Sequence, residues 1–169
     1  MANSPDLMTE IFSQVSRYVP DGAPRFNPGA FTNENNCYGY ALNIKEHGWA
    51  TPGRLLEIEH EEMPNASRTA PFVTKGVLKD GLEQIREHGA RRDEHVISGH
   101  VIPGEDFHFY RYDNDGQWSS KYASKIAEKA NPAFETDETF IGFFRVPAEG
   151  LLYSPRLKVI NTLRGMGLI

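Results

Sequence analysis

The chain has 169 residues, of which 39% are apolar and 24% are charged, a balance typical of one folded domain rather than of a disordered or collagen-like chain. Acidic residues outnumber basic ones by 23 to 18 and give a formal net charge of -5, which argues against nucleic acid or an anionic membrane as a partner. No apolar run is long enough to span a membrane and no cleavable signal pattern is present, so we expect a protein made in the cytosol that can still leave by a signal-independent route.

Three helices are predicted in the first half of the chain from helical spacing of apolar residues and from capping signals. Their approximate bounds are Pro5–Val19, Cys37–His47 and Lys75–His88. Asn36 and Thr74 precede the second and third as N-caps, and Gly48 and Gly89 follow them as terminators. The segments between the helices are rich in proline and glycine and are predicted to be irregular.

The second half of the chain is predicted to form strands, because short β-branched or aromatic runs alternate with turn residues. The predicted strands are His95–Ile102, Phe107–Tyr112, Gln117–Lys121 and Thr139–Val146. Residues 113–116 (DNDG) give a hairpin signal, and Pro155–Leu163 are predicted as a last short helix. Helices followed by an antiparallel sheet indicate a single α+β domain, with an N-terminal part (1–32), a core (33–146) and a tail (147–169).

The single cysteine, Cys37, lies at the start of the predicted second helix. With one cysteine no intrachain disulfide or cysteine-based zinc cage can form. Free N–H groups at a helix start stabilise a thiolate and can bind an oxyanion. This position favours a nucleophilic cysteine over a small buried apolar residue, which is the ordinary role of a lone cysteine.

A thiolate nucleophile needs a base, and His108 is the first choice among the six histidines. It begins a predicted strand after a turn, where one side is expected to open on a cleft; His100 lies in mid-strand. A two-residue hairpin loop would place His108 opposite Lys121, which cannot accept a hydrogen bond from imidazole. The third, orienting group is therefore expected among Ser119, Ser120 and Asn131.

Three segments carry a family resemblance: residues 36–41 (NCYGYA), 106–111 (DFHFYR) and 116–121 (GQWSSK). A cysteine at a helix start followed by a strand-borne histidine and a hairpin resembles the layout of the papain-like superfamily, most closely that of the compact NlpC-like peptidases. The same segments are similar to those of uncharacterised bacterial and phage-associated proteins. The resemblance covers roughly residues 33–146.

The resemblance implies a papain-like α+β fold and a cysteine peptidase or amidase. Cys37 would be the nucleophile, His108 the base and Ser120 the third residue, at a place where NlpC-like enzymes usually carry His, Asn or Gln. Asn33, Asn35 or Asn36 would replace the oxyanion glutamine, with Asn35 and Asn36 preferred. The expected substrate is a peptide, protein or peptidoglycan, with no cofactor or metal, in a phage product or a bacterial effector that could have an immunity or partner protein.

Two other functions remain open at this point. The departures at Ser120 and at the oxyanion position also fit a non-catalytic binding or inhibitor module on the same scaffold. An acyltransferase or transglutaminase-like enzyme would use the same residues. Residues 57–62 (EIEHEE) lack the spacing of a helical zinc motif and are interpreted as a hydrated acidic run.

Overall fold

A six-stranded antiparallel sheet forms the centre of the fold in the computed structural model, which describes residues 9–13, 19–31, 35–44, 49–55, 62–85, 94–132, 137–147 and 162–168. Its strands are β1 (Glu83–Ile85), β2 (His95–Ile102), β3 (Asp106–Tyr112), β4 (Trp118–Ser120), β5 (Glu128–Lys129) and β6 (Thr139–Val146). They lie in the order β1-β6-β2-β3-β4-β5, and each neighbouring pair is antiparallel.

Helical segments accompany this sheet. They are α1 (Cys37–Ala41), α2 (Ala70–Lys79), the short 3-10 turns Pro28–Ala30 and Asn65–Ser67, and the helical residues 9–13 and 162–165. None of the helices within the described ranges is long and apolar enough to cross a membrane. The chain is therefore an α+β protein, as the sequence predicts.

The two faces of the sheet carry separate cores, because successive side chains of a strand point to opposite faces. On one, which we call the helix face, α1 packs against β3 and β4 and α2 against β2 and β6, in a core that includes Phe107 and Phe109 of β3. On the other, which we call the aromatic face, Tyr110 and Tyr112 belong to a cluster that includes Phe12 of the helical residues 9–13. The sheet is thus covered on both sides.

Several predicted elements are confirmed. β2 and β6 have the predicted bounds, and β3 begins one residue earlier than predicted. The predicted hairpin turn is present, and Gly116 closes it with a φ of 75° and an N–H that donates to the Asp113 carbonyl at 3.1 Å. Asn36 is the N-cap of α1, since its side chain accepts a hydrogen bond from the Gly39 N–H.

The predicted bounds of the second and third helices are partly wrong: the second is wrong at its end, and the third is wrong at both ends. α1 ends at Ala41 rather than near His47, because Asn43 takes the left-handed conformation (φ 61°) and turns the chain. The proposed terminator Gly48 lies outside the described residues. α2 starts five residues before the predicted Lys75 and ends at Lys79, where Gly81 (φ 96°) redirects the chain into β1.

Other predictions fall largely outside the described residues. Of the first predicted helix, residues 9–13 are helical, and Val19 is not. His88 and Gly89, and most of the predicted tail helix, are not described; residues 162–165 at its end are helical. β1 and β5 were not predicted, and the predicted strand Gln117–Lys121 is shorter by one residue at each end.

Candidate functional site

Asn35 and Asn36, the predicted oxyanion donors, hold the backbone around the start of α1. The Asn36 Oδ1 accepts from the N–H of Gly39 at 2.9 Å and of Ala50 at 3.1 Å, and its Nδ2 donates to the Ala50 carbonyl at 2.7 Å. Asn35 Nδ2 donates to the Ile44 carbonyl at 2.5 Å. Each amide NH2 group is thus directed at a main-chain carbonyl, so the structure supports a capping and bracing role for both residues.

The thiol of Cys37 is buried in the core of the helix face, where Sγ lies 3.8 Å from the Phe107 carbonyl oxygen that accepts its hydrogen bond. Burial raises the pKa of the thiol to about 12. This direction is opposite to the one that a thiolate needs: desolvation of the charged form outweighs the backbone N–H groups of Phe109 and Tyr38, which favour it. The thiol remains protonated at neutral pH.

His108 points to the aromatic face. Its neighbours Phe107 and Phe109 pack on the helix face with Cys37, and alternation along β3 turns the imidazole the other way. There it stacks on the Tyr122 ring, with centroids 3.9 Å apart, and meets the Tyr110 ring edge-on at 4.7 Å. Burial lowers the pKa of His108 to about 3, so the imidazole is neutral. The structure gives it no hydrogen bond to the thiol.

The hairpin register differs from the prediction by one residue. Tyr112 pairs with Trp118 and Tyr110 with Ser120, because the turn is closed by the Asp113 N–H donating to the Gln117 carbonyl at 2.9 Å. Tyr122, and not Lys121, therefore lies beside His108.

Ser120 lies on the aromatic face with His108, as a third residue would. Cross-strand partners share a face, and Ser120 is the partner of Tyr110. No hydrogen bond joins it to His108, because neither Ser120 Oγ nor His108 Nε2 has a partner in the described part of the chain. The structure thus brings Ser120 and His108 to one face and places Cys37 on the other.

Two residues with unexpected roles are Lys121 and His100. The Lys121 ammonium is buried and donates to the carbonyls of Asn35 and Ala123, so it links the end of β4 to the segment before α1. His100 is buried on the aromatic face, 3.1 Å from the Ser98 hydroxyl, and its pKa is lowered by burial. The position of the Lys121 side chain follows from the corrected hairpin register, because alternation along β4 places Ser119 and Lys121 on the helix face.

A cleft of about 290 Å³ lies where β3 begins, and both Cys37 and His108 border it. Its aromatic lining residues are Trp49, Phe107 and Tyr122. Its charged lining residues are Glu62, Arg68 and Asp106. Arg68 Nη1 lies 2.9 Å from Asp106 Oδ1, and its guanidinium stands 5.2 Å from the centre of the Phe107 ring. We refer to this site as the Trp49–Tyr122 cleft.

A second, larger cavity of about 580 Å³ lies on the aromatic face, between the helical residues 9–13 and β4. Phe12, Trp118 and Lys129 are among its lining residues. Asn131, one of the three candidates for the orienting group, also borders it, whereas Cys37 and His108 border the smaller cleft. Across the described ranges, no group of three or more His, Cys, Asp or Glu side chains is arranged to hold a metal ion.

Comparison with known proteins gives one informative similarity. No family model and no solved structure matches the chain. The chain is similar to insoluble matrix shell protein 1 of Ruditapes philippinarum, with 38% identity over 106 residues. The match covers 63% of this chain and 66% of the relative, so the chain spans just under two thirds of the relative's length.

This similarity contradicts the predicted activity and its setting. A relative named for the insoluble matrix of a shell points away from a cysteine peptidase or amidase, and equally from a bacterial effector or a phage protein. It also conflicts with the expected cytoplasmic location. The buried, protonated thiol of Cys37 supplies a physical reason for the first correction, since a thiol without thiolate character is a poor nucleophile.

Proposed function

We propose that this chain is a non-catalytic binding protein that forms part of an insoluble matrix. The observation that carries the proposal is the separation of Cys37 from His108: a protonated thiol packs on one face of β3, and a neutral imidazole stacks on Tyr122 on the other. A nucleophile and its base need to lie within hydrogen-bond reach of each other, and no hydrogen bond joins these two side chains in the described part of the chain. What the Trp49–Tyr122 cleft offers instead is aromatic surface with a polar border, which suits binding.

The matrix part of the proposal is supported by the similarity to the shell matrix protein. It is tested by sequential extraction of the source tissue, followed by antibody detection of the chain. The chain should stay in the pellet through washes with buffer and high salt, and denaturant should release it. Recovery of most of the chain in the first buffer wash would contradict the proposal.

The non-catalytic part is tested by alkylating Cys37 with iodoacetamide at about pH 6. The native thiol should react far more slowly than the same thiol in the denatured chain, because a pKa of about 12 leaves almost no thiolate. Cys37→Ala should remain in the matrix pellet like the unaltered chain. Rapid alkylation of the native chain, together with peptide or amide cleavage that Cys37→Ala abolishes, would overturn the proposal.

We also propose that the scaffold is papain-like in layout while lacking the chemistry of that superfamily. Support comes from α1, which begins at the single cysteine and packs against an antiparallel sheet whose third strand carries His108. An experimental structure is the test. Superposition of α1 and β2–β4 on the corresponding elements of papain-like proteins would support this layout, and failure to superpose would remove it without affecting the binding role.

A further inference from the structure

The Trp49–Tyr122 cleft exposes two aromatic side chains at its mouth. Trp49 is 37% exposed and Tyr122 is 44% exposed, whereas the other aromatic wall, Phe107, is buried. His108 stacks on one face of the Tyr122 ring, with the two ring planes 10° apart. Exposed aromatic surface costs solvation free energy. The exposed rings of Trp49 and Tyr122 border one cleft, and this arrangement indicates a binding surface for a flat or ring-shaped ligand.

The polar groups of the cleft favour an uncharged ligand. Asp106 and Arg68 are paired with each other at 2.9 Å, and Glu62 adds a further carboxylate. His108 contributes no charge at neutral pH. An anionic ligand would meet an excess of negative charge, while hydroxyl groups could exchange hydrogen bonds with the carboxylates and the guanidinium at the border.

The volume of the cleft sets the size of that group. At about 290 Å³ it lies just below the range of pockets that bury drug-sized molecules, about 300 to 1,000 Å³. It suits a group of one ring rather than a folded domain or a helix. The exposed side chains of Trp49 and Tyr122 at its mouth leave space for the ring to belong to a longer chain.

We propose that the Trp49–Tyr122 cleft binds one ring of a neutral, hydroxyl-bearing polysaccharide. The apolar C–H face of the sugar ring packs on the two aromatic side chains, and its hydroxyls reach Asp106, Arg68 and Glu62. The inference rests on the proposed function, since it names the partner that the binding protein would hold in its matrix. It gives Trp49 and Tyr122 the main share of the affinity.

The test is a titration of the full chain with soluble hexamers of glucose and of N-acetylglucosamine, with a hexamer of galacturonic acid as the anionic comparison. Binding is followed by intrinsic fluorescence and confirmed by calorimetry. The chain has two tryptophans, and Trp118 borders the larger cavity on the aromatic face, so only a change that Trp49→Ala abolishes reports on the Trp49–Tyr122 cleft. We expect at least one neutral hexamer to bind, with an affinity that added salt leaves nearly unchanged.

Variants locate the binding surface. Trp49→Ala and Tyr122→Ala should each weaken binding about tenfold, while Tyr122→Phe keeps the ring and should stay within about twofold. Phe72→Ala is the matched control, because Phe72 is exposed on α2 and does not border the cleft. It should bind like the unaltered chain. Circular dichroism shows whether each variant is folded.

Several results would overturn the inference: no binding of either neutral hexamer, stronger binding of the galacturonic acid hexamer, or an equal loss in Phe72→Ala. These failures are distinct from failure of the proposed function. A chain that stays in the matrix pellet and binds no hexamer refutes the sugar site alone. A chain that binds a hexamer but is washed out of the tissue by buffer refutes the matrix role alone.

Discussion

Arg111 and Asp113 form a buried ion pair at the end of β3. Arg111 Nε lies 2.7 Å from Asp113 Oδ1, and neither side chain is exposed to solvent. The second carboxylate oxygen of Asp113 accepts a hydrogen bond from Ser119 at 2.6 Å, and the guanidinium lies 4.2 Å from the centre of the Tyr40 ring. Arg111 also donates to Asn43 Oδ1 at 3.2 Å. The pair therefore connects β3 to β4 through Ser119, and to the end of α1 through Tyr40 and Asn43.

We expect Asp113→Ala to lower the free energy of unfolding by about 3 to 5 kcal/mol, because it leaves a guanidinium buried without its counter-charge. Ser119 loses one of its two hydrogen-bond partners at the same time and keeps the Tyr40 hydroxyl at 2.6 Å. For a domain whose total stability is about 5 to 15 kcal/mol, the loss is a large fraction. Replacing both partners, Arg111→Met with Asp113→Leu, should cost less than Asp113→Ala alone, since no charge is stranded.

Urea unfolding followed by far-ultraviolet circular dichroism measures these changes, with the slope of the transition checking that each variant unfolds in one step. The matched control is Asp115→Asn. Asp115 pairs with Lys129 at 2.5 Å but is partly exposed, so its loss should cost less than about 1 kcal/mol. The reasoning would be refuted if Asp113→Ala cost no more than Asp115→Asn, or if the double replacement were the most damaging of all.

Two further predictions concern acid and close packing. The free energy of unfolding should fall by several kcal/mol from pH 7 to about pH 4. Burial lowers the pKa of His95 to about 4 and of His108 to about 3, whereas imidazoles of the unfolded chain have pKa values near 6.5. The unfolded chain therefore binds more protons than the folded chain in this pH range. Asp80, whose pKa burial raises to about 6, opposes this trend only in part; urea midpoints that stay level or rise on acidification would contradict it. Gly76→Ala should lower the free energy of unfolding by about 3 kcal/mol, because the added Cβ would lie 2.7 Å from the main chain of Pro52, in the turn packed against α2. Gly29→Ala is the control, since its Cβ would meet nothing closer than 3.7 Å and should change the urea midpoint little. Equal shifts of the urea midpoint in the two variants would contradict the prediction.

The central strands could be predicted from sequence because their signal is local and long. β2 and β6 are eight-residue runs bounded by turn residues, and their bounds match the prediction. β1 and β5 have three and two residues and exist through pairing with β6 and β4, which no local pattern reports. The predicted start of α2 is five residues too late because the proline-containing segment before Lys75 was predicted to be irregular. Pro71 of that segment lies in the first turn of the helix, where proline is well tolerated.

The face on which His108 lies could not be predicted by the same means. β3 is apolar on both sides, with Phe107 and Phe109 in one phase and Tyr110 and Tyr112 in the other. Periodicity identifies an inward face only when the opposite face is polar. A strand buried on both sides therefore gives no indication of which phase meets α1, and that phase decides whether the imidazole can reach the thiol.

Cys37 shows that a helix start does not by itself determine thiol chemistry. The position at the N-terminus of α1 was correct, and Asn36 caps it as expected. The pKa depends on the balance between the local dipole and the loss of water, and the dipole of a short helix saturates near half a charge while desolvation grows with burial. Here burial in the core raises the pKa of the thiol more than the backbone N–H groups of Phe109 and Tyr38 lower it, and the proton stays on sulfur. The exposed rings of Trp49 and Tyr122 border the same cleft, and the proposed binding role rests on this accessible surface rather than on the thiol.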